Sequence, residues 1–182
     1  MGTQSYNNRV MSTETGGISL QTPGQADIIA RYKAYPWKLD VANTYSDKPS
    51  TKKPYKAGYL SDASLNNALY LLNFIRYVAG IPADVALNEN YTELAQTGAL
   101  LNCVNNKLSH EPKRPDGWTS EEPEEMEMLD DLYQKGYEGC SNSNIAYNYG
   151  NIAQTLLKGW MFDGDASNIG KMGHRRWALN PS

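Results

Sequence analysis

Histidine, cysteine and phenylalanine are each present only twice in these 182 residues. Two cysteines, Cys103 and Cys140, are too few and too far apart for a CxxC pair or a zinc-finger array. Long apolar runs are also missing. The longest, such as residues 68–72 (ALYLL), fall far short of the ~20 residues a spanning helix needs. Neither sign of charge dominates, with 17 basic against 20 acidic residues and a net charge of −3. No cluster of Lys and Arg offers the footprint that neutralising a nucleic-acid backbone requires, so nucleic acid is excluded as a partner. HExxH, GxSxG, P-loop and GxGxxG motifs are absent as well. The opening MGTQSYNNRV lacks the basic head and apolar stretch of a secretory leader.

What is present suits one domain of ordinary size. Tyrosine is abundant, 13 against 2 Phe, which favours amphipathic rings with one wet end. Sugar- and peptide-binding surfaces have that character, as do half-buried rims of secreted domains. The two cysteines read equally as one disulfide in an oxidising compartment or as two ordinary thiols.

The chain divides near residue 60. Residues 1–60 carry scattered Gly, Pro, Ser and Thr, and the stretch from Tyr45 to Tyr59 holds two Pro and four Lys. Proline fixes φ and removes a donor, so no long helix or central strand is expected there. This region reads as an extended N-terminal arm across the domain, or as a linker, with a short strand or helix around Ile28–Tyr35. Residues 61–182 read as the folded domain. Ser61 and Asp62 cap a helix whose stripe is Leu65, Ala68, Leu69, Leu72, Ile75 and Val78, ended by Gly80 and Pro82. Asn88 caps a second helix with Tyr91, Leu94, Ala95, Leu101 and Leu108 on its buried side. That helix is expected to stop near His110, before Glu111-Pro112. Residues 121–131 hold seven acidic side chains. Pro123 followed by acids makes a good first helical turn, whereas a calcium loop would need alternating oxygen ligands around a Gly turn. A further helix is predicted from Asn151 to Phe162, and a short turn or helix after Gly170.

Chemistry concentrates around the two histidines. His110 sits in Leu108-Ser109-His110-Glu111-Pro112, and His174 in Gly173-His174-Arg175-Arg176-Trp177. Neutral imidazole is a common base and metal ligand, and Asp163 and Asp165 lie upstream of His174 at loop distance. A lone histidine is more often structural, so spacing by itself carries the metal idea only weakly.

Residues 73–110, from Asn73-Phe74-Ile75-Arg76 through Gly80-Ile81-Pro82, Leu87-Asn88 and Leu94-Ala95-Gln96 to Leu108-Ser109-His110, resemble the opening half of a CAP domain. That superfamily comprises cysteine-rich secretory proteins, antigen 5 and pathogenesis-related proteins. Ser143-Asn144-Ile145-Ala146 resembles its Glu-Asn-Ile-Ala element, and Trp160-Met161-Phe162-Asp163 its Trp-x-x-acid element. Gly173-His174-Arg175-Arg176 is similar to the Gly-His-Arg form of bacterial members. The run on to Asn180-Pro181 is similar to a secreted Gram-positive branch.

The resemblance implies an α+β fold of CAP type, an α-β-α sandwich around a central antiparallel sheet. It implies a cleft in which His110, His174 and Asp163 are the candidate ligands of zinc or another divalent cation, and the candidate catalytic residues. Ser143 stands where a second acid is expected and is a poor zinc ligand. Ser143, Asn144, Tyr147, Tyr149, Trp160 and Arg175 are the expected cleft wall, and Arg175 and Arg176 are expected to pair with the acidic helix. The resemblance also places the helix bearing Cys103 beside the loop before Ser143, which would permit a Cys103–Cys140 disulfide. Two further strands are expected past the Gly-His element, whereas the sequence ends at Ser182. A partner segment completing the sheet is one expectation, and an unstable or oligomeric isolated chain another. The function implied is a secreted or cell-surface binding protein for a carbohydrate, lipid or peptide. Metal-assisted hydrolysis and a cell-wall scaffold are the other readings.

Overall fold

The computed structural model describes residues 22–166 and 168–180. The first 21 residues of the arm, and the Pro181-Ser182 end, lie outside the described residues. Element order is α1 (Gln25–Ala34), β1 (Tyr45–Asp47), β2 (Tyr59–Leu60), α2 (Asp62–Val78), α3 (Glu89–Val104), α4 (Pro123–Ser141), α5 (Ile152–Gln154) and α6 (Gly173–Ala178). A π-helical stretch, Thr155–Met161, continues α5. The architecture is α+β in the coarse sense. β1 and β2 pair antiparallel, Tyr45 opposite Leu60 and Asp47 opposite Tyr59, and form the one sheet among the described residues.

The helix boundaries follow from capping chemistry. Ser61 Oγ accepts from Ser64 N at 3.3 Å to open α2. At its other end Gly80 takes φ +71°, with Ile81 N donating to Arg76 O and Gly80 N to Tyr77 O, a Schellman closure. α3 opens on Asn88, whose Oδ1 accepts from Tyr91 N at 3.1 Å. It closes at Val104, six residues before the expected stop at His110. The cause is Asn106, at φ +47°, with Lys107 N donating to Asn102 O and Asn106 N to Cys103 O. Asparagine tolerates the left-handed region and here takes the place glycine has at the end of α2. Leu108 therefore falls outside the helix and is exposed, and Tyr91 is exposed too.

Two cores position the site. Leu71, Ala153 and Leu156 form the first, joined by Trp37, Leu39, Leu72, Ile75, Leu157 and Trp160. Leu71, which the expected stripe omits, is its most buried α2 residue, because α2 faces both α5 and the segment after α1. That segment is tied down by Asn151 Nδ2 donating to Leu39 O at 2.7 Å and Thr44 N to Ser64 Oγ at 2.8 Å. Leu100, Trp118 and Leu129 form the second core, with Trp118 Nε1 donating to Leu129 O and the Tyr55 ring stacked on the indole at 4.3 Å.

α3 and α4 make the most extensive helix pair, running antiparallel with Leu94 against Gly139 and Leu101 against Gly136. Cys140 is buried in that seam, with its thiol donating to Gly98 O at 3.3 Å, while Cys103 is exposed. Both are free thiols. Burial pushes the Cys140 thiol up to about 11. No helix among the described residues is long and apolar enough to cross a membrane.

Candidate functional site

The π-helical stretch delivers Asp163. Phe162 N donates to Leu157 O, an i→i−5 bond at 3.0 Å, so the last turn is wider than an α-turn. Asp163 follows at φ +48° and is 2% exposed. Its carboxylate faces α6: Oδ1 is 2.8 Å from His174 Nδ1, and Oδ2 accepts from Arg175 N at 3.3 Å. Burial alone would raise the Asp163 carboxyl pKa. The hydrogen bonds and charge of His174, with the Arg175 N–H, outweigh it and hold the group below its ordinary value. An ionised carboxylate only accepts, so His174 Nδ1 is the donor of this bond.

Around this pair the surroundings are built by small residues and carbonyls. The Asn168 amide sits 3.0 Å from the same His174 nitrogen. Gly173 admits it, since a Cβ there would lie 2.8 Å from Asn168 Oδ1. Asn144 Nδ2 donates to His174 O at 3.1 Å. Arg175 spends its guanidinium on the end of the π-helical stretch, Nε to Met161 O at 2.6 Å and Nη2 to Phe162 O at 2.7 Å. The expected pairing of Arg175 with the acidic helix is therefore replaced by carbonyl bonds. The acids of α4 pair instead with Arg114 and Lys135. Ala146 and Tyr149 close over Gly159, where a Cβ would lie 3.0 Å from the Tyr149 ring.

Three of the four motif elements thus meet at one place: residues 144–149, 159–163 and 173–175. His110 is held at the other side of the same connection. It is exposed, and its Nδ1 donates to Cys140 O at 2.7 Å. Ser143 donates its hydroxyl to Gly139 O. That bond commits the serine proton to a carbonyl and leaves no Ser–His couple to act as nucleophile and base. Tyr147 is 73% exposed beside the pair's supporting strand of chain. Trp160 belongs to the first core, its indole N–H buried without a hydrogen-bond partner among the described residues.

The three candidate ligands, His110, Asp163 and His174, are not gathered at one point among the described residues. Asp163 turns both oxygens onto protein N–H groups, and Ser143 replaces the fourth expected donor. No group of three His, Cys, Asp or Glu side chains that could hold a metal is gathered among the described residues. Asp163 is instead placed to orient His174, as a carboxylate behind an imidazole does. Sequence reasoning missed Asn168 and Arg76. Arg76 is 5% exposed and bonds Pro82 O, Ala178 O and Asn180 O, fixing α6 from below. No spacing rule marks either residue. A small pocket of about 140 Å³ lies elsewhere, between residues 41–44 and α2, and includes none of the histidines or Asp163. The chain matches no family model, no curated protein and no solved structure.

Proposed function

We propose that this chain is a CAP-like binding module of the secreted or cell-surface class. Its ligand face is built on the His174–Asp163 pair, with Asn144 supporting it and Tyr147 at the rim. In this reading β1 and β2 belong to the central antiparallel sheet of an α-β-α sandwich. The observation that carries it is the meeting of three distant elements at one buried carboxylate: Asn144 on His174 O, Asp163 on His174 Nδ1, and Arg175 on the carbonyls preceding Asp163. Such convergence costs backbone strain at Asp163 and Met172, both at positive φ. Strain of that kind persists where the surrounding contacts over-determine it, as at binding sites.

The ligand classes are carbohydrate, lipid and peptide. The test is an immobilised panel of the three, probed with wild type and with His174→Ala and Tyr147→Ala. One class should be retained by wild type and lost at least tenfold in His174→Ala. Retention that ignores both substitutions, or no retention at all, overturns the reading.

Metal-assisted hydrolysis is the second reading, favoured by the Asp163–His174 geometry. With Nδ1–H held by a carboxylate, Nε2 can take a proton from water. A divalent cation would find its protein donors in the imidazoles of His110 and His174, with Asp163 behind one of them, which falls short of the usual three. Metal analysis of protein purified without chelators separates the two readings. Well below one zinc per chain is expected. Stoichiometric zinc that disappears in His174→Ala, together with turnover of a peptide or ester substrate, would replace binding by hydrolysis.

A further inference from the structure

Beyond the His174 face, residues 162–166 and 168–177 carry an unusual surface. Trp177 is 74%, Phe162 63%, Ile169 62% and Met172 45% exposed, so four large apolar side chains stand in solvent within sixteen residues. Exposed apolar groups also line residues 29–45, at 40–47%, but Trp177, Phe162 and Ile169 exceed 60%, as only Tyr91 and Tyr147 do elsewhere among the described residues. The base beneath them is closed by hydrogen bonds. Arg175 holds Phe162 O through Nη2 and approaches Met172 Sδ through Nη1 at 3.8 Å, placing Phe162 and Met172 around one guanidinium. Ile169 N and Met172 N close successive turns on Asp165 O and Asn168 O, at 2.8 and 2.7 Å. Arg176 N bonds Met172 O, which starts α6 beneath Trp177.

The charges beside this patch differ in sign from the chain as a whole. Lys171 and Arg176 are both exposed and make no ion pair among the described residues. Of the two acids in the segment, Asp163 is consumed by His174 and Arg175, leaving Asp165 as the other. Exposed Trp and Phe flanked by unpaired Lys and Arg match an interface that is apolar below and anionic above, as at the surface of a lipid bilayer. Aromatic rings settle at the headgroup level while the cations meet phosphate.

We infer that residues 162–166 and 168–177 form an interfacial docking patch for an anionic lipid surface, with Phe162, Ile169, Met172 and Trp177 entering the headgroup layer and Lys171 and Arg176 pairing with its phosphates. This holds whatever ligand the His174 face takes.

Vesicle flotation tests it, using phosphatidylcholine vesicles with and without phosphatidylglycerol. Wild type should float with the anionic vesicles, less so as salt is raised, and should not float with phosphatidylcholine alone. Each cation near the surface contributes about fivefold, so Lys171→Ala with Arg176→Ala should bind roughly 30-fold more weakly. Phe162→Ala with Trp177→Ala should abolish flotation while leaving the melting curve unchanged. Tyr91→Ala, an exposed ring on α3, serves as control and should bind like wild type. Absent flotation of wild type, equal flotation with neutral vesicles, or the same loss in Tyr91→Ala overturns the proposal. So does self-association in vesicle-free solution that Phe162→Ala with Trp177→Ala removes, because the occupant would then be a second copy.

Discussion

Asp163 sets the behaviour of the site with acid. Its native pKa lies below the ordinary 3.8, because the His174 and Arg175 hydrogen bonds outweigh burial. A carboxyl whose folded pKa is depressed binds fewer protons folded than unfolded. Its contribution to stability is fully present above the ordinary value and is lost as pH falls through the native one. Urea midpoints should therefore fall below about pH 4, and Asp163→Asn should flatten that fall. Asp163→Ala goes further, since it strips the acceptor from His174 Nδ1 and from Arg175 N in a buried setting. A loss of about 1–3 kcal/mol is expected, read from chemical denaturation at pH 7. An unchanged midpoint in Asp163→Ala would mean that the pair is not formed in solution.

At the scale of elements, the α3–α4 seam depends on glycine. A Cβ on Gly139 would lie 1.9 Å from Leu94 O and 2.6 Å from Leu94 C, backbone that cannot rotate away. Gly139→Ala should cost about 3 kcal/mol or more, or prevent folding, whereas Gly164→Ala, with nothing within 4 Å, should change the melting temperature little. Similar losses in both would show that the seam is looser than described. The same seam shows what the sequence disclosed. Ser61, Asn88 and Pro123 marked helix starts because a cap is a local event, settled within four residues. The end of α3 was hidden, since Asn106 in the left-handed region looks like any loop asparagine, whereas Gly80 announced the end of α2. The π-helical stretch was hidden too, because its one breaker, Gly159, sits inside the helical run without ending it, and the widening is settled by packing against Tyr149 and Ala146. His174 and Asp163 were legible as a pair from their motifs. The commitments of Ser143 to Gly139 O and of Trp160 to the core were not, because they depend on which way each side chain turns once α4 and the π-helical stretch are packed.

Across the whole molecule, Arg76 links α2 to the C-terminal end of the described chain. It lies in α2, is 5% exposed, and its guanidinium reaches Ala178 O and Asn180 O at 2.9 Å each, with Pro82 O at 2.7 Å. Its partners are carbonyls, so the charge is satisfied by dipoles rather than by a carboxylate, and the bond geometry matches the planar fork of arginine. α6 has no buried residue of its own, so little apolar burial holds it to the body. Its anchors are polar: Arg76 from below, Asp163 from the π-helical stretch, and Asn144 from the connection after α4. Hydrogen bonds to a charged group are worth ~1.5–3 kcal/mol each and do not add fully, so Arg76→Met should cost about 3 kcal/mol while keeping the apolar stem. The loss should also be local. Amide exchange across residues 173–180 should accelerate well before that of α3 and α4, and ligand retention at His174 should weaken with it, because the imidazole rides on α6. Arg76→Lys, which keeps the charge but reaches fewer carbonyls, should fall between the two. If exchange in 173–180 were unchanged in Arg76→Met, α6 would be held by Asp163, Asn144 and the bonds of Arg175 to Met161 O and Phe162 O, and the site would be independent of α2.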